Sequence, residues 1–196
     1  MIKSLVWGDF KATGSMTGNM LFGGGLVGGM LNGSHLTDVH ADVTVNNIYA
    51  SSGGSDPATG GLVGYVLNST VLNAYATGTV TGTMNVGGLV GSAFGDNAAV
   101  TLTNVYATGS VTAVERAGGL VGGLSGATVL NAYATGSVTA SGGNGQVGGL
   151  AGLVENASSV TNAYATGAVS APAGNYVGGL VGALQSGTFY NTFAAN

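Results

Sequence analysis

The chain has 196 residues, of which 39 are glycine, none is cysteine and only 5% are charged, with seven acids against three bases and a net charge of −4. Sparse charge beside abundant Val, Thr, Leu, Ala and Tyr excludes a disordered chain, and glycine without a three-residue period excludes collagen. The shortage of Lys and Arg excludes a nucleic-acid surface and a polybasic lipid anchor, and without cysteine no disulfide can staple the fold.

In chain order, Met1 to Asp9 hold too short an apolar stretch for a secretory signal, and no run of about 18 apolar residues marks a transmembrane helix. From there two motifs alternate. A degraded tyrosine-type segment runs from Asp9 through Phe10 to Thr17, and Gly-Gly-Leu-Val-Gly follows around Leu26. A second degraded copy spans Asp38 to Asn46, with His40 in the tyrosine position. Gly-Gly-Leu-Val-Gly recurs around Leu62, Leu89, Leu120 and Leu180, and as Gly-Gly-Leu-Ala-Gly around Leu150, at spacings of 36, 27, 31, 30 and 30 residues. Between these lies Asn-Ala-Tyr-Ala-Thr-Gly-x-Val-Thr, at Asn73 to Thr81, Asn104 to Thr112 (with Val105 for the first Ala), Asn131 to Thr139 and Asn162 to Ser170 (with Ser170 for the last Thr). A partial copy, Asn191 to Asn196, closes the sequence.

The tyrosine motif reads as a strand. Alternation sends Ala74, Ala76, Gly78 and Val80 to one face, and Tyr75, Thr77, Thr79 and Thr81 to the other. A face of Ala, Gly and Val suits a tight interior; a face of Tyr and Thr suits a half-wet exterior. In Gly-Gly-Leu-Val-Gly, Leu89 and Val90 must point to opposite faces if the run is a strand, so that strand is expected to be apolar on both sides. A third segment, such as Asn68 to Leu72 or Ala99 to Thr103, precedes each tyrosine motif. Length variation falls in loops, at Ser51 to Thr59 and Ala140 to Gln146.

Glycine and β-branched residues at this density disfavour helix. A unit of about 30 residues cannot bury its own apolar face, but stacked units can. The expected fold is therefore all-β: a right-handed parallel β-helix of about six coils, one repeat per coil, forming a single domain over residues 1–196. Repeats are expected near 9–37, 38–72, 73–103, 104–130, 131–161 and 162–190, with a partial unit at 191–196.

The alternation of these two motifs resembles the GLUG-motif repeats of bacterial surface proteins, similar in turn to segments of filamentous-haemagglutinin-like adhesins. The resemblance covers roughly residues 9–196 and is strongest from Gly60 onward. It implies an extracellular bacterial or phage-borne β-solenoid serving as stalk, adhesin or cell-surface scaffold, with no catalytic residues and no cofactor.

Individual residues support little chemistry. A glycoside hydrolase needs two carboxylates facing one groove; the acids here are scattered, and Arg116 beside Glu115 reads as a solvated pair on a turn. Asp38, His40 and Asp42 fall on one strand face, with His35 nearby. They could ligate a divalent ion, but His40 sits in the tyrosine column and Asp38 in the asparagine column, which reads better as an atypical repeat. No metal site is assigned. Gly53-Gly54-Ser55-Asp56 is a solitary match to a calcium β-roll, and Gly23-Gly24-Gly25 lacks the Gly-Lys-Ser/Thr of a phosphate loop.

Two surface features remain. Thr79 and Thr81, Ser110 and Thr112, and Ser137 and Thr139 form a hydroxyl ladder, joined by Ser15 and Thr17, of the kind that meets ice; Ala168 interrupts it. Phe10, Tyr75, Tyr106, Tyr133, Tyr164 and Phe193 form an aromatic column that stabilises a solenoid by stacking or meets a glycan. No polar cap is evident, so either the chain is a fragment of a longer stack or its open ends join head to tail; self-association is expected through those ends or through the two-sided apolar strand. The expected function is a structural or adhesive repeat domain of a bacterial extracellular surface protein, acting as a stalk or self-assembling filament. The alternative is an ice- or glycan-binding module using the Thr and Tyr ladders. Neither nucleic acid nor membrane insertion is expected.

Overall fold

The computed structural model describes residues 10–49, 56–143, 145–174 and 176–196. Asp9, Gly53 to Ser55 of the calcium-like match, most of the Ser51 to Thr59 loop and Asn144 lie outside the described residues. Among the described residues the chain contains strands and turns and no helix. Every pairing among these residues is parallel, and together they build three sheets of 11, 6 and 6 described strands that share one axis. The chain is thus a β-solenoid of about six turns, with partners offset by the repeat length.

Each coil visits the three sheets in a fixed order. A short strand such as Ala58–Gly60 or Val86–Gly87 lies in the narrow sheet. A five-residue strand such as Val63–Leu67 or Val90–Phe94 lies in the leucine sheet. A long strand such as Thr70–Ala76 or Val100–Ala107 lies in the tyrosine sheet, which continues after a bend as Val80–Thr81 or Val111–Ala113.

The tyrosine strand follows its alternation. Ala74, Ala76 and Val80 are buried, whereas Thr77, Thr79 and Thr81 are exposed and Tyr75 is half-buried. The preceding segment is not a separate strand: Thr70 to Leu72 runs straight on into Asn73 to Ala76. Asn73 takes a left-handed φ of 51°, as do its equivalents Asn104, Asn131, Asn162 and Asn191, at 51–54°, and Asp38, at 54°. Asn and Asp tolerate that region far better than β-branched residues, so a kink can be set there in every layer.

Gly-Gly-Leu-Val-Gly is a corner rather than a two-sided strand. Leu89 and Val90 are both fully buried, in one interior. The chain bends at Gly88 and Leu89, between the narrow and leucine sheets, and the bend swings consecutive side chains inward together. A Cβ on Gly88 would sit 2.1 Å from the Gly119 carbonyl oxygen of the next layer, so only glycine permits the approach. The corners are paired between layers: the N–H groups of Leu62 and Val63 both donate to the Leu89 carbonyl, at 2.9 and 3.0 Å. The apolar pairs of this motif therefore supply core, not an outward apolar face. Leu62, Leu89, Leu120 and Leu150 stack along the axis with Val71, Leu102, Val129 and Val160 in one continuous cluster.

The register corrects one assignment. Lys11 pairs with His40, and Phe10 pairs with Val39, in the column of Ala74. The first tyrosine position is thus occupied by Lys11. The reason lies in the following residues: Ala12 to Thr17 align with Ala76 to Thr81 in register, and that Ala-Thr-Gly-Ser-x-Thr run sets the phase.

Candidate functional site

The tyrosine sheet carries three axial ladders. In the first, Asn73 Nδ2 donates to Asp38 Oδ1 (2.9 Å), and the pattern continues from Asn104 to Asn73 (2.9 Å), Asn131 to Asn104 (3.0 Å), Asn162 to Asn131 (3.0 Å) and Asn191 to Asn162 (2.8 Å). Each amide has one donor and one acceptor pointing along the axis, so identical residues satisfy one another.

The second ladder is aromatic. His40, Tyr75, Tyr106, Tyr133, Tyr164 and Phe193 stack in series, with centroids 4.5–5.2 Å apart and rings within 8° of parallel. The layer spacing imposes this offset stack. Ring faces are spent on one another, which leaves only edges and hydroxyls outward. A shallow groove between this stack and the asparagine ladder, over Tyr106, Tyr133 and Tyr164, encloses about 460 Å³. Burial, then the neighbouring tyrosines, raises the Tyr106 and Tyr133 phenols above the usual value.

The third ladder is the hydroxyl one. Thr79, Thr81, Ser110, Thr112, Ser137 and Thr139 are all exposed. The outer column reads Thr17, Asn46, Thr81, Thr112, Thr139 and Ser170. Ser137 Oγ donates to Ser110 Oγ at 3.1 Å. Thr77, Thr108, Thr135 and Thr166 form a further exposed column beside it.

Asp38, His40 and Asp42 do not converge. Asp38 is the foot of the asparagine ladder. His40 is 7% exposed and lies flat on Tyr75. Asp42 accepts from Thr77 Oγ1 (3.0 Å) and pairs with Lys11 (3.7 Å). Among the described residues no three His, Cys, Asp or Glu side chains are grouped to hold a metal ion.

A second recess lies where the narrow and leucine sheets meet. It encloses about 390 Å³. Arg116 lines it, and is half-buried rather than solvated on a turn. Its Nε donates to Gln146 Oε1 (2.7 Å) and its Nη1 to Asn85 Oδ1 (2.6 Å). These two amides occupy the layers on either side of it. Burial lowers the Arg116 pKa, while Asp56, Glu155 and Glu115 oppose that shift; a guanidinium stays charged under such conditions. Phe22 and Tyr65 stack in the same groove, 4.6 Å apart and 13° from parallel. A reading of Glu115-Arg116 as a local pair misses this site. Asn85, Arg116 and Gln146 each stand two residues before a Gly-Gly pair, and aligning the repeats brings them into one column.

No curated protein matches the chain. The GLUG motif matches residues 56–81, 113–139 and 143–170, each match running through one coil from the narrow sheet to the tyrosine sheet. Three coils of the solenoid are therefore GLUG repeats.

Proposed function

We propose that the chain is a structural and adhesive segment of a bacterial extracellular surface protein, extended by stacking coil on coil into a stalk or filament. The carrying observation is the last described layer. Val177 and Leu184 are 48% and 53% exposed, whereas the residues beneath them, Val147 and Val154, are fully buried. Phe193 continues the aromatic stack at 56% exposure. A further layer would cover these side chains and extend the columns in register. Such an edge is a template for another strand, and a contact of this head-to-tail kind propagates without closing.

The seven tyrosine-sheet layers described, at about 4.8 Å each, span about 29 Å, and the proposed extension adds layers on the same axis. The reading involves no catalytic step: Asp38 and Asp42 are engaged in the asparagine ladder and the Lys11 pair. The hydroxyl ladder supports an ice-binding module less well, because Asn46 and Ala168 interrupt its columns.

Electron microscopy of the purified protein tests the proposal. Rods much longer than about 30 Å are expected, and V177D combined with L184D should shorten them to single units. Single units in the parent protein at every concentration would end the filament reading.

A further inference from the structure

The stacking columns of this solenoid are uniform because layers impose sameness: Asn on Asn, Tyr on Tyr, Leu on Leu. The groove between the narrow and leucine sheets departs from that rule. Along the narrow sheet the outer column reads Phe22, Ala58, Asn85, Arg116, Gln146 and Tyr176. Opposite it the leucine sheet presents Gly29, Tyr65, Ser92, Gly123, Leu153 and Ala183. Self-stacking does not dictate such a series, and it makes one position on the axis chemically unlike every other.

That position is also built. The sole arginine of the chain is withdrawn from water there, with amides from the layers above and below holding its Nε and Nη1. Asn85 is itself only 3% exposed and anchors to the Pro57 carbonyl through Nδ2 (3.3 Å). The two amides use two of the five guanidinium N–H groups, so the fork keeps donors for a ligand. Gly123 supplies space: a Cβ there would meet Asn85 Oδ1 at 3.3 Å and the Arg116 side chain at 3.8 Å. Asp56 and Glu155 line the same recess as acceptors, and Phe22, Tyr65 and Phe94 supply apolar wall. The volume of about 390 Å³ falls within the roughly 300–1,000 Å³ of small-ligand sites.

We propose that this groove binds a neutral oligosaccharide. A sugar offers vicinal hydroxyls that both donate and accept, matching a guanidinium fork beside carboxylates and amides, and apolar C–H faces that match the aromatic wall. An anionic ligand is disfavoured because two carboxylates in the groove outnumber its one cation. The tyrosine ladder is the poorer platform, since its inner rings are stacked on both faces, whereas Tyr65 and Phe22 cover one face of each other. The groove faces sideways, so it stays open when coils stack end to end, and each copy in a filament presents one site.

The test is a glycan array carrying neutral and uronic-acid oligosaccharides, with hits followed by calorimetric titration. A neutral oligosaccharide is expected to bind the parent protein, and R116Q and Y65A are each expected to weaken it at least tenfold. T112V, on the hydroxyl ladder, should leave affinity unchanged. Circular dichroism and thermal melts establish that each variant is folded; if R116Q is not, Y65A and S92W, which fills the recess, carry the comparison. Absence of binding across the array, preference for the uronic-acid set, or affinity indifferent to Y65A and S92W would overturn the proposal. Filament length is read independently by microscopy, so either idea can fail alone.

Discussion

At the residue scale, the asparagine column shows one side chain doing two jobs. Asn131 holds a left-handed φ of 54° and also bridges Asn104 and Asn162. The two jobs are separable. Asn131→Gly removes both exposed hydrogen bonds, each worth about 0.5–1.5 kcal/mol at most in net terms, but keeps the backbone relaxed. Asn131→Ala removes the same bonds and adds left-handed strain of about 1–2 kcal/mol. The alanine variant should therefore be less stable than the glycine variant by about 1 kcal/mol in denaturant titration. Equal stabilities would show that the ladder, not the backbone, selects asparagine. The same scale exposes what sequence reading could not reach. Arg116 looks like half of a local charge pair, because its real partners stand 31 and 30 residues away. Only the axial register brings them together. Lys11 is hidden for the opposite reason: Phe10 is the more tyrosine-like neighbour, yet the glycine-centred run after it sets the phase.

At the element scale, the tyrosine strand was legible because its period of two is expressed in unlike residues, Ala and Val inward against Tyr and Thr outward. The Gly-Gly-Leu-Val-Gly corner was not, because adjacent Leu and Val read as a strand buried on both sides. A corner curls both into one core, and nothing in a linear pattern separates that from a two-faced strand. The aromatic stack makes a prediction of its own. Desolvation, reinforced by neighbouring phenols, raises the Tyr106 and Tyr133 pKa values. The folded state thus disfavours the phenolate, and the unfolded chain ionises first. This contribution to stability is full below the ordinary phenol value of about 10, and is lost as pH rises from there through the folded values. Melting temperature should hold through neutral pH and fall above about 10, in step with the tyrosinate ultraviolet difference signal. A melting temperature flat across that range would mean the rings are no less solvated than in the unfolded chain.

At the scale of the whole molecule, stability is a sum over neighbouring layers, and the fold has no natural stopping length. Under the proposed function the exposed last layer is the surface for assembly, and the proposed glycan groove, facing sideways, stays free of it. All of this rests on axial register: positions one repeat apart must lie one layer apart. The chain has no cysteine, so paired spin labels can be introduced without competing thiols. Labels on the exposed outer column at Thr81 and Thr139, Thr17 and Thr112, and Thr17 and Ser170 are separated by two, three and five layers. Pulsed and continuous-wave electron paramagnetic resonance should give backbone-corrected separations near 10, 14 and 24 Å, rising by about 4.8 Å per layer. Separations that do not grow in proportion to the number of intervening layers would contradict the stacked register, and with it the solenoid account.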